Sequence, residues 1–127
     1  MKHIIATDNA PRAIGAYSQG AVFGGRLLFT AGQLGLDPAT GNFVEGGVAE
    51  QTEQAMKNLK AIVEAGGSKL EDVLKVTIFM VDMNDFAVIN GVYAKFFDKT
   101  PPARSAVAVK ALPKGGLVEI ECISTVG

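Results

Sequence analysis

Histidine and cysteine each occur only once in the 127 residues, and these two scarcities exclude more than any one motif establishes. A lone cysteine cannot form an internal disulfide, and with one histidine beside it the chain has too few soft ligands for a zinc site. Charge of one sign is also missing. Twelve Lys and Arg stand against thirteen Asp and Glu, so no overall field gathers nucleic acid or an anionic membrane, and a polyanion would need a local patch. No apolar run approaches the roughly 18 residues of a membrane span. The opening MKHIIATDNAPR turns polar too early for the apolar stretch of a secretion signal. These absences lead to the expectation of a cytoplasmic protein that works without metal or cofactor.

What the chain does have is apolar substance, 48% of its residues, enough for one core, so residues 1–127 are expected to form a single domain. After a short apolar start at HIIA, the segment AVFGGRLLFTAG reads as two strands joined in a hairpin at Gly24-Gly25. DPATGN is a turn cluster, followed by a break at Gly46-Gly47. Val48, Thr52, Ala55, Met56, Leu59, Ile62 and Val63 then recur at three- and four-residue spacing, which predicts a helix that Gly66-Gly67 stops. VLKVTIFMV is rich in β-branched and aromatic residues and predicts a central strand buried on both sides. Asp82, Asn84 or Asp85 can cap a second helix with the apolar stripe Phe86, Ile89, Val92, Tyr93, Phe96 and Phe97, which Pro101-Pro102 ends. ARSAVAVKA, the turn LPKGG and LVEIECISTV predict a closing hairpin. The implied class is α+β, a two-layer domain with a mixed six-stranded sheet and two helices on one face. A second copy of the chain is expected to cover the other face.

Arg104 and Glu119 are charges that two apolar, alternating strands do not require. If the turn pairs Leu112 with Leu117, Lys110 lies opposite Glu119 and Arg104 opposite Thr125. Val107, Val109, Val118, Ile120 and Cys122 then share the face beneath the helices, and Arg104, Ala106, Ala108, Lys110, Glu119 and Glu121 share the other. Alanines beside an arginine leave room for a ligand. An ordinary cross-strand pair of Glu119 with Lys110, and a surface role for Arg104, explain the same pattern equally well. Periodicity does not separate the two readings.

The stretches IGAYSQG, FTAGQ, DPATG, LEDVLKVTIFMVDMNDFAVIN, PPARSAV and VEIE, spread in order over nearly the whole chain, together resemble the RidA (YjgF) family of reactive imine and enamine deaminases. The resemblance implies a fold like the Bacillus type of chorismate mutase and a homotrimer with clefts between subunits. It implies hydrolysis of 2-imino and enamine acids such as 2-aminoacrylate and 2-iminobutyrate to 2-keto acids and ammonia, protecting pyridoxal-phosphate enzymes. Arg104 matches the arginine that binds the substrate carboxylate, and Glu119 the acid that positions or activates water. Tyr17, Gly32 and Asn90 match cleft residues. Ala106 stands where many relatives have cysteine, which argues against covalent catalysis there and leaves its backbone amide for ligand contact. In the hairpin register above, Arg104 and Glu119 lie roughly 20 Å apart at ~3.4 Å per residue, so one small ligand would meet both across adjacent subunits, the favoured reading, or else a bulge breaks the register.

Other chemistry is less well supported. The family also carries ribonuclease and translation-inhibitor assignments, but this chain offers neither a basic stripe nor a histidine pair. A keto-acid-binding sensor or a chaperone would use the same cleft without turnover. Cys122, among Val118 and Ile120, reads as a buried small hydrophobe, His3 as having no partner, Lys114 as a solvated turn residue, and Phe86, Phe96 and Phe97 as core.

Overall fold

The computed structural model describes residues 2–9 and 12–127. Its first helix, α1, spans Val48–Ala65. The start is held by Glu50, whose carboxylate accepts the Gly47 N–H at 2.8 Å, and the exit turns through Gly67 at φ +85°, a backbone state that glycine adopts without penalty. Thr52, Ala55, Met56, Leu59 and Val63 are fully buried, as the spacing predicts, and each of the larger side chains contributes about 1.5–3 kcal/mol. Gln51, on the same face, was not expected there. It is buried because its Oε1 accepts the Leu117 N–H at 3.0 Å.

Seven strands accompany the helices: β1 (His3–Ile5), β2 (Gly20–Val22), β3 (Arg26–Phe29), β4 (Gln33–Leu34), β5 (Val73–Met80), β6 (Ala103–Ala108) and β7 (Val118–Val126). The second helix, α2 (Phe86–Ala94), is shorter than its apolar stripe, so Phe96 and Phe97 lie past its end. Asp82 caps the 3-10 turn before it, accepting the Asn84 N–H at 2.9 Å. Together these elements make an α+β protein with a mixed sheet, as expected. Among the described residues no helix is long and apolar enough to cross a membrane.

The strand pairing differs from the expectation in three places. The mixed sheet has five strands rather than six, in the order β3-β7-β5-β6 with β4 also on β7, while β1 and β2 form a separate antiparallel ribbon. The strands on either side of Gly24-Gly25 exist but do not pair with each other: β2 takes β1, and β3 takes β7. The closing hairpin does not form. β6 lies parallel to one edge of β5 and β7 antiparallel to the other, so β5 is central, as its composition predicts. The segment between β6 and β7 wraps the end of β5 instead of turning tightly, with Val109 N–H donating to Met80 O at 2.7 Å and Val81 N–H to Leu117 O at 3.4 Å. Lys114 is exposed in that connection, at φ 58°.

This pairing reassigns the faces. Val76 is level with both Arg104 and Cys122, and Phe79 with both Val107 and Glu119. Level residues point to the same side, and successive residues alternate. The helix side therefore holds Val76, Ile78, Val118, Ile120, Cys122 and, toward the β6 edge, Arg104, Ala106 and Ala108. The open side holds Phe79, Val107, Ile123, Glu119 and Glu121. It is not the polar face of small side chains that the hairpin register implies. Phe29 is 68% exposed, Leu27 46% and Val107 44% on it.

Candidate functional site

Arg104 projects from edge strand β6 toward α2, where its Nη1 donates to Asn90 Oδ1 at 2.6 Å. Three aromatic rings stand around the guanidinium carbon: Tyr93 at 5.1 Å, and Phe86 and Tyr17 at 5.4 Å each. Tyr17 reaches this place because its loop is pinned to the entrance of β6, with Ser18 N–H donating to Pro102 O at 2.8 Å and the Ser18 hydroxyl to Pro101 O. Burial lowers the Arg104 pKa from its ordinary value, and the neighbouring tyrosines oppose that shift. Even lowered, a guanidinium stays charged near neutrality. Among the described residues no carboxylate lies within 4 Å of it, and the only ion pair is that of Lys57 with Glu53 at 3.9 Å. A half-buried cation with donors to spare and no counter-ion is built to receive an anion.

Glu119 lies elsewhere. Its carboxylate rests on the backbone of Gly32, where a Cβ would sit 2.6 Å from Oε2 and 2.7 Å from Cδ, so only glycine leaves it this position. Gly32 precedes β4, which is clasped to α1 by Asn58: its Nδ2 donates to Leu34 O at 3.1 Å and to Leu36 O at 2.9 Å. The expected pair of Glu119 with Lys110 does not form, because β6 and β7 are separated by β5. Glu119 is half-buried, and among the described residues its carboxylate has no hydrogen-bonding partner.

The candidate residues thus divide in two. Tyr17, Asn90 and Arg104 come together on the helix side, with Ala106 one pleat further along β6. Gly32 and Glu119 come together away from them. Arg104 and Glu119 are three residues apart along the ladder and two strands apart across it, so about 14 Å separates their Cα atoms. That replaces the 20 Å of the hairpin register. Their side chains also leave opposite faces of the sheet, which widens the gap. A groove of about 410 Å³ lined by Ile4, Ile5, Thr7, Arg12 and Pro101 reaches Tyr17 but neither Arg104 nor Glu119.

A model of the family described as endoribonuclease L-PSP matches residues 7–126. The chain belongs to this family, which includes the RidA and YjgF proteins. It is 53% identical to a RutC family protein from Pyrococcus horikoshii over 98% of both chains. A Bos taurus relative named 2-iminobutanoate/2-iminopropanoate deaminase is 49% identical over all of this chain and 92% of its own. The crystal structure of RidA from a Psychrobacter species matches with a TM-score of 0.77 at 48% identity, covering 98% of this chain and 99% of that one.

The remaining singled-out residues of the chain are quiet. Cys122 is buried on the helix side, and burial pushes its thiol up to about 11, which leaves it protonated and unreactive near neutrality. His3 is exposed on β1. Two residues of the Arg104 cluster, Phe86 and Tyr93, were read from sequence only as core. Spacing held the missing signal: positions 86, 90 and 93 fall on one stripe of a helix, so a polar Asn90 between two aromatics has to face something other than packed hydrocarbon.

Proposed function

We propose that the protein hydrolyses 2-imino acids and their enamine tautomers to 2-keto acids and ammonia, in clefts shared between neighbouring subunits of a homotrimer. The observation that carries this reading is the half-buried Arg104 guanidinium, held by Asn90 and aromatic faces with no carboxylate to neutralise it. Its planar edge suits the carboxylate beside the C=N carbon of an imino acid. Glu119, from the adjacent chain, orients water against that carbon and accepts its proton. The tetrahedral adduct then collapses, the nitrogen takes a proton, and ammonia leaves as the carbonyl forms. Acid/base assistance of this kind is worth about 10²–10⁴-fold, and holding water and imine together adds to it. Imines hydrolyse in water unaided, so positioning and one base supply the needed acceleration without metal or cofactor.

The trimer closes over the open sheet face, where Leu27, Phe29 and Val107 would otherwise stay in water. In a cytoplasmic setting the activity would remove imines released by pyridoxal-phosphate dehydratases before they attack such enzymes. The test generates 2-aminoacrylate or 2-iminobutyrate in place with a dehydratase and semicarbazide present. Added protein should suppress semicarbazone formation and speed ammonia release, and Arg104→Ala protein should not. Unchanged trapping with wild-type protein would sink the reading. The family's endoribonuclease name makes RNA degradation the second activity to assay on the same samples.

A further inference from the structure

We infer that Phe86, Asn90 and Tyr93 form a socket on α2 that fixes the plane of the Arg104 guanidinium and so selects the edge it offers to a carboxylate. The inference rests on the deaminase reading for the identity of that carboxylate, but the socket itself is a matter of geometry. Its three residues stand at i, i+4 and i+7 on a single helix, so one rigid element presents them together. The two rings are 5.4 and 5.1 Å from the guanidinium carbon, within the range of a cation–π contact, and Tyr17 adds a third from the loop side. Ring faces attract the cation but satisfy none of its five N–H groups; among the described residues only Asn90 does that, for one N–H on Nη1. The rings therefore hold the guanidinium as a planar, charged group with most of its edge donors unspent. Aliphatic side chains of similar volume would fill the same space and let it pivot.

Tyr93 shows that the ring, and not its polar handle, is what the socket uses. The residue is fully buried and its hydroxyl has no hydrogen-bond partner among the described residues. Tyr93 also packs against Phe97 in a tilted pair, with ring centroids 4.9 Å apart and planes at 41°, which supports it from behind. Phe86, Asn90 and Tyr93 are accordingly positioning residues for Arg104. They act on a carboxylate only through the guanidinium.

The experiment is side-chain NMR of the full protein with ¹⁵N-labelled arginine. The chain has three arginines, of which Arg12 and Arg26 are exposed and serve as internal references. Arg104 is assigned by its disappearance in Arg104→Lys. In wild type its guanidinium signals should be shifted by ring currents and split by hindered rotation. Phe86→Leu should move them toward the two reference arginines, while Phe86→Tyr and Tyr93→Phe should leave them in place. On the same samples, binding of 2-oxobutanoate should weaken roughly tenfold to a hundredfold in Phe86→Leu, with KM rising more than kcat falls, and should be kept in the ring-conserving variants. Phe86→Met takes the place of Phe86→Leu if thermal melting shows the latter unfolded. Wild-type Arg104 signals that coincide with those of Arg12 and Arg26, or keto-acid binding untouched by loss of the Phe86 ring, would overturn the socket. Shifted, hindered signals in a wild-type protein that binds no 2-oxobutanoate would leave the socket standing and overturn the deaminase reading instead.

Discussion

Two inactive variants of this chain should restore each other's activity when they assemble together. The structure supplies the reason: the Cα atoms of Arg104 and Glu119 are about 14 Å apart by strand geometry, and their side chains leave opposite faces of the sheet. A three- or four-carbon imino acid cannot touch both in one chain. In the proposed three-fold ring each cleft would take Arg104 from one subunit and Glu119 from the next. Arg104→Ala and Glu119→Ala chains, co-expressed with different affinity tags and purified through both, give only mixed trimers. Walking round either kind of mixed ring, one junction of the three joins an intact Arg104 to an intact Glu119 in the productive order. Activity should therefore return to about one third of wild type per trimer, although each variant alone falls by two or more orders of magnitude. Semicarbazide trapping measures it, and native mass spectrometry verifies the mixing. Mixed trimers with no more activity than either parent would refute the shared cleft.

Gly32→Ala places a methyl 2.6 Å from Glu119 Oε2 and forces the carboxylate to move. Because Glu119 is half-exposed and can swing away, denaturant unfolding should shift by less than about 0.5 kcal/mol while kcat drops about 10–100-fold; an unchanged kcat would remove Glu119 from the mechanism. Phe29→Asp puts a charge on the open sheet face at a position 68% exposed in the single chain, so sedimentation should show monomers that keep their circular dichroism and lose hydrolysis. Burial pushes the Cys122 thiol from its ordinary 9.0 up to about 11, so the native state holds the proton more tightly between those values. Its contribution is present in full below about pH 9 and fades as pH rises toward 11, a loss on the order of 3 kcal/mol. Cys122→Val should flatten that part of the unfolding curve, and an identical slope in both proteins would refute the burial-driven shift of the thiol.

Much of the fold was legible because its causes are local. The 3.6-residue spacing of Val48 to Val63 and the glycines after it locate α1 to within a residue or two, and the β-branched run VLKVTIFMV marks β5 as central. Strand pairing was not legible, because a Gly-rich turn between two alternating segments looks the same whether the segments pair with each other or with a third strand. β5 needs a neighbour on each side, and β6 and β7 meet that need. The choice has a large consequence, since moving β7 across β5 puts Glu119 on the face opposite Arg104 and turns Val107 outward. The strand pattern singled out Arg104 and Glu119 as charges without deciding their roles; those roles, and Tyr17, Gly32 and Asn90, came from family resemblance. Phe86 and Tyr93 stayed hidden because an aromatic at helical spacing, taken by itself, has the same signature whether it packs on hydrocarbon or on a guanidinium; only the polar Asn90 on the same stripe tells the two apart.

The division of the candidate site also bears on why such a protein would assemble. Among its described residues each chain carries a half-buried cation without a counter-ion at one rim of its sheet and a carboxylate without a cation on the far face. Neither is satisfied in the single chain, and desolvating either alone is unfavourable. Arg104 lies on edge strand β6, where a neighbouring chain can approach without crossing the helix layer. The open face that holds Glu119 also exposes Leu27, Phe29 and Val107, so the apolar surface that drives association surrounds the acid that must be delivered. In the proposed trimer, burial of that surface would bring the two charges to one cleft. On this reading, association and the completion of the site are one event, and a chain folded on its own is correctly built but chemically silent.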